Sequence, residues 1–199
     1  MRFVTVRSIF LRLFIFIIML AGLQGCMNVA TTSAEAVYNR HSIEKNLKDQ
    51  YLTYQAYRAI YFDNDMFKNA NITVSTYNRE VLLAGQAPHE WQKRKAHTLV
   101  SNIPDIKHLY NLIEVQSPSS SLTRISDAWI TTKVKAKLLA SNEVDASKVK
   151  VITENGRVFL MGIVLPEQAD AAVDLAGNTE GVLSVVRVFS YMKISKHRS

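Results

Sequence analysis

The chain of 199 residues contains one cysteine, Cys26. An internal disulfide is therefore excluded, and stability must come from packed cores. The five histidines, His41, His89, His97, His108 and His197, are scattered. No two stand at the i, i+4 spacing of a helical metal pair. Gly85 and Gly162 form no phosphate-binding loop, since a glycine inside a strand marks close backbone approach instead. Glu90 and Glu167 fall at matching helix starts, where a carboxylate favours the positive dipole end. No catalytic constellation is visible, so an enzyme, a metal and a small-molecule substrate are all unexpected. The apolar run LFIFIIMLAGL, Leu13 to Leu23, falls short of the ~20 residues of a membrane-spanning helix.

That run has the form of a secretory signal. Arg2, Arg7 and Arg12 supply a positive leading region, and the apolar stretch ends in Gly22, Gln24 and Gly25 directly before Cys26. A free cysteine is often a small buried residue, but this one stands where a signal stops. Leu23-Gln24-Gly25-Cys26 resembles the lipobox of bacterial lipoproteins. The resemblance implies that residues 1–25 are removed and that Cys26 carries acyl chains, the only covalent addition expected, with no other cofactor. Several chains give stable anchoring at about 0.8 kcal/mol per buried CH2, whereas one is marginal. Met27 follows rather than Asp, which by the same resemblance implies an outer-membrane address facing the periplasm of a Gram-negative bacterium. An uncleaved membrane anchor and a plain soluble chain are the alternatives.

The chain carries 24 basic and 17 acidic residues, net +7, and loss of the three signal arginines leaves +4. A mild basic excess suits anionic lipid or nucleic acid, and a periplasmic address leaves the lipid. Residues 26–48 are small and polar and read as a tether. QSPSSSLT, residues 116–123, reads as a linker. It divides two segments that repeat one another.

NITVSTYNREVLLAGQ (Asn71 to Gln86) aligns without a gap with KVKVITENGRVFLMGI (Lys148 to Ile163). Ile72 matches Val149, Val74 matches Val151, Val81 matches Val158, Leu83 matches Leu160, and Gly85 matches Gly162. Each block alternates, turns at Asn-Arg or Asn-Gly, and alternates again, which predicts a β-hairpin. A helix over Tyr51–Tyr61 or Asp127–Ala140 precedes each hairpin. A second helix and a β-rich run follow. Both halves read αββαβ, in an α+β class: a three-stranded mixed sheet with two helices on one face. The expected domains span 49–115 and 124–192, with a basic tail at 193–199.

The second half carries Asp127, Ile130, Val134 and Leu138 on its leading helix, then VFLMGIV, then EGVLSVVRV. These marks resemble the BON domain, a small bacterial periplasmic module. The first half has VLLAGQA and PDIKHLYN, with Pro-Asp in place of a glycine and a tyrosine-rich leading helix. With LQGC and WITTKVKAKLL, the whole resembles the dual-BON outer-membrane lipoproteins. That resemblance implies support of outer-membrane integrity, gathering at the division site and binding of anionic phospholipid.

The leading helix of the second half points to a surface for that binding. At 100° per residue, Ile130, Val134 and Leu138 form a core stripe, and Trp129, Lys133 and Lys137 form a second one beside it. A tryptophan ring suits headgroup depth, and each lysine attracts anionic lipid by about 1 kcal/mol. A tryptophan packed at a domain edge beside solvated lysines is the plainer alternative. Tyr54, Tyr57 and Tyr61 on the first leading helix suit either a similar surface or a seam between domains, and the seam is preferred. Two classes of function follow: a non-catalytic lipid-binding lipoprotein, or a periplasmic adaptor that grips envelope proteins through the same face.

Overall fold

A computed structural model of the chain describes residues 33–62 and 65–192. The signal, Cys26 and the tail lie outside the described residues. The chain divides after Ser42 into two units. The described part of the first, residues 33–42, is helical, and everything below concerns the second. The elements are α1 (Ser33–Tyr61), β1 (Asn71–Tyr77), β2 (Glu80–Ala87), α2 (Glu90–Ser101), β3 (His108–Asn111) and β4 (Glu114–Val115). They repeat as α3 (Ser121–Ala140), β5 (Val149–Glu154), β6 (Arg157–Val164), α4 (Pro166–Gly177) and β7 (Ser184–Tyr191).

Each half is αββαβ. β1 pairs antiparallel with β2, which pairs parallel with β3 and β4. The register is continuous from Glu80↔His108 to Ala87↔Val115, so β3 and β4 are one strand interrupted at Leu112 and Ile113. β5, β6 and an unbroken β7 repeat the order. Ile72 lies opposite Gly85, and Val149 opposite Gly162. A Cβ on Gly85 would sit 2.1 Å from the Asn71 carbonyl oxygen, and one on Gly162 2.2 Å from that of Lys148. The repeated glycines are there because the neighbouring strand leaves no room for a side chain.

A repeated carboxylate ties each leading helix to its hairpin. Asp49 accepts from the amides of Asn78 (2.6 Å) and Arg79 (2.8 Å), and Asp127 accepts from those of Asn155 and Gly156 (both 2.8 Å). Both aspartates are buried, which is tolerable because each satisfies two otherwise orphaned amides.

Alternate residues of the central strands serve two cores. Val81 and Leu83 face Ala56 and Ile60 of α1 and Ala96 and Val100 of α2. Val158 and Leu160 face Ile130, Val134 and Leu138 of α3 and Ala169, Ala172 and Ala176 of α4. The opposite faces meet each other: Leu82 and Ala84 pack with Ile152, Phe159, Met161 and Val188. The molecule is thus layered helix–sheet–sheet–helix, with three apolar cores.

Three expectations change. The segment read as a tether is helical from Ser33, and Ser120 caps α3 by accepting from the Thr123 amide, so the linker shrinks to residues 116–120. That remnant is pinned, since the Gln116 amide donates to the Ala87 carbonyl and the Ser119 amide to Gln86 Oε1. The sheets are separate, but the domains share a core and are not free of one another. The seam is made by the sheets, with Tyr77 and Tyr110 packed against it, rather than by the tyrosines of α1. Tyr54 and Tyr57 are exposed, and Tyr61 is held by Ile72 of its own domain, accepting from its amide (2.6 Å) and donating to its carbonyl (3.2 Å).

Candidate lipid-facing site

α3 begins at Ser121, six residues before the expected start at Asp127, and the extra turns matter. They place Leu122 and Ile125 on the helix seven and four residues before Trp129. At 100° per residue all three fall on one side, opposite the core stripe of Ile130, Val134 and Leu138. Leu122 is 75 %, Ile125 58 % and Trp129 67 % exposed, and Leu139 further along is 74 % exposed. Leu122, Ile125 and Trp129, standing in water within two turns of one another, form a patch rather than scattered exceptions, and Leu139 stands apart, nearly three turns further on. Leu183, in the loop between α4 and β7, is likewise exposed, at 77 %. Gly181 brings that loop close to α3, where a Cβ would lie 3.1 Å from the Ile130 side chain.

The lysines are placed differently from the sequence expectation. Lys133 Nζ lies 3.3 Å from Glu180 Oε2, and Lys137 Nζ donates to the Asn178 carbonyl at 2.5 Å. Both therefore lean back onto the loop at the edge of the apolar row. Glu180 is fully solvated, and such surface pairs are worth at most about 1 kcal/mol, so the ammonium groups exchange partners cheaply. The structure brings Trp129, Lys133 and Lys137 to one side of α3, as the spacing predicts. It adds Leu122 and Ile125 to that side, and leaves Leu139 and Leu183 exposed beyond it. Leu122 and Ile125 continue the Trp129 stripe at helical spacing, a signal hidden by the linker assignment.

The polar groups at the seam are structural. Glu154 accepts from Thr73 Oγ1 (2.5 Å) and Asn71 Nδ2 (3.3 Å), and burial holds its carboxyl above the usual glutamate range. Glu80 accepts from Ser190 Oγ at 2.7 Å. Lys150, pushed down by burial, donates to the Thr76 carbonyl at 3.0 Å. Arg157 pairs with Glu114. Each contact joins one domain to the other. Among the described residues no group of three or more His, Cys, Asp or Glu could hold a metal ion, and no helix is long and apolar enough to cross a membrane.

Two tandem αββαβ units with these marks define a protein class. The BON domain family matches residues 48–117 and again 126–193. Among characterised relatives, Outer membrane lipoprotein DolP of Haemophilus influenzae is 35 % identical over 175 residues, covering 85 % of this chain and 90 % of that protein. The 21 kDa hemolysin of Actinobacillus pleuropneumoniae is 44 % identical over 132 residues, 66 % of this chain and 68 % of that one. Osmotically-inducible protein Y of Escherichia coli is 30 % identical over 131 residues, 64 % and 65 % of the two chains. The chain belongs to the BON-domain family and, within it, to the dual-domain outer membrane lipoproteins.

Proposed function

We propose that this lipoprotein is non-catalytic, held at the outer membrane by acyl chains on Cys26, and that its second BON domain rests on anionic phospholipid through α3. The apolar row Leu122, Ile125 and Trp129 carries this reading, because all three stand exposed in the described chain. A row of this kind with lysines at its edge matches the interfacial zone of a bilayer. Apolar side chains enter the acyl boundary, the indole sits at headgroup depth, and the ammonium groups of Lys133 and Lys137 exchange Glu180 and Asn178 for phosphates. Family membership supports a role in outer-membrane integrity, with gathering at the division site as the finer part of the same proposal.

Liposome flotation tests it. Protein with Cys26→Ser, free of acyl chains, floats with vesicles containing phosphatidylglycerol and stays behind with neutral vesicles. Failure to float with either removes the lipid reading. A periplasmic adaptor is the second reading, favoured by the exposed Tyr51, Tyr54 and Tyr57 on α1, and it predicts no flotation without a protein partner.

A further inference from the structure

We propose that the first BON domain carries a binding site of its own, for a zwitterionic ligand joining a phosphate to a primary ammonium, the chemistry of a phosphoethanolamine headgroup. The site is a cavity of about 370 Å³ between α1 and the loop that precedes β3, walled by Lys48, Tyr51, Gln55, Arg79 and Asp105 beside the buried Leu52. It needs nothing from α3.

The internal repeat shows how this place differs between the halves. Aligned through Asp49 and Asp127, Tyr51 stands where the second domain has Trp129, and Gln55 where it has Lys133. Arg79 aligns with Gly156, and Asp105 with Gly181. In the second domain the loop closes against α3 at Ile130. In the first, Asp105 lines the cavity beside Leu52.

Backbone conformation marks the same residues. Gly156 and Gly181 have φ of 72° and 90°, a left-handed region that glycine adopts freely. Arg79 and Asp105 hold φ of 66° and 70° despite carrying side chains. Left-handed backbone is strained for residues with a Cβ, and such strain concentrates at functional sites. Asn78 (52°) and Arg79 share it because a two-residue hairpin turn requires it at both positions, and the side chains that Arg79 and Asp105 carry there, one cationic and one anionic, line one cavity.

The charges define the ligand. Lys48 Nζ lies 3.1 Å from Glu44, and Arg79 Nη2 lies 3.7 Å from Asp105 Oδ1, with Arg79 Nε donating to the Asp105 carbonyl at 2.8 Å. The ion pairs are exposed and weakly held, so a ligand can replace them with charge-assisted bonds of its own. A phosphate accepts from Lys48 and Arg79. An ammonium on the same ligand donates to the Asp105 carboxylate. A simple anion would confront Asp105 and a simple cation would confront two cations, so one ligand bearing both charges satisfies all three groups.

The test titrates the Cys26→Ser chain with glycerophosphoethanolamine and follows amide shifts by NMR. Saturable shifts are expected around Lys48–Gln55 and at 103–107, with inorganic phosphate and glycerophosphocholine binding at least about tenfold more weakly. Arg79→Gly and Asp105→Gly copy the glycines of the second domain and so keep the turns. Each should weaken binding about tenfold or more. Should either fail to fold, Lys48→Ala, at an exposed helix position, carries the same expectation. Co-sedimentation with phosphatidylethanolamine against phosphatidylcholine vesicles distinguishes a bilayer source from a soluble one. Trp129→Ala should leave the titration unchanged, so this site and the α3 surface stand or fall separately. No saturable shift, phosphate alone binding as tightly, or wild-type affinity in Arg79→Gly would overturn the proposal.

Discussion

Gly162 and Glu154 show how much single residues decide here. Because the Lys148 carbonyl oxygen already occupies the place of a methyl group on Gly162, Gly162→Ala must part β5 from β6. Forced overpacking of this kind costs about 1–3 kcal/mol or more. Thermal unfolding should show it as a lowered midpoint, and an unchanged midpoint would mean that the strands yield. Glu154 acts through pH. Its carboxyl titrates above the ordinary glutamate range because burial disfavours the charge. A raised folded-state value stabilises the protein below the ordinary range, and that stability is lost as pH rises through the raised value. Glu154→Gln removes this dependence, so its midpoint relative to wild type should climb as pH rises from about the usual glutamate value toward neutral. Melting curves across that interval check the slope, and a flat difference would show that Glu154 titrates normally.

Among the elements, α3 is the one whose ends matter most. Ser120 caps it, and replacing a serine cap by alanine typically costs about 0.5–2 kcal/mol. Ser120→Ala should fray the first turn and, with it, the placement of Leu122 and Ile125. Helical content falls slightly, and flotation with anionic vesicles weakens. Trp129→Ala should weaken flotation more while leaving the melting midpoint in place, since Ile130, Val134 and Leu138 still fill the core. If both variants float like wild type, α3 is not the membrane face.

The same element shows what was legible in the sequence. The core stripe of α3, both hairpins and the repeated glycines all follow from periodicity and turn residues. The start of α3 does not, because serines and threonines build linkers and cap helices alike. The small, polar residues after Ser33 were equally ambiguous, and a helix claimed them. The second face of the sheets was missed for a different reason. Two helices on one face of each sheet predict one covered side for EVLLAGQA and RVFLMGIV, yet their near-continuous apolar character is that of strands covered on both faces.

At the scale of the whole molecule, the two domains are folding partners. Phe159 is all but fully buried and packs in the core between the sheets, so Phe159→Ala should cost about 3–5 kcal/mol. Residues 121–192 expressed alone would expose Ile152, Phe159, Met161 and Val188, and should aggregate or melt well below the full chain. A second domain that melts like the full chain would show that the shared core contributes little. Anchoring is a separate matter: Cys26→Ser should leave the fold intact and remove the protein from outer-membrane fractions, checked by fractionation and by mass spectrometry of the acylated peptide.

α1 and α3 each cover the outer face of their own sheet, yet Asp49 and Thr53 of α1 and Lys135 of α3 line one cavity beside Lys150. Because the two sheets share a core, loosening either half should loosen the other, and both should melt in a single transition.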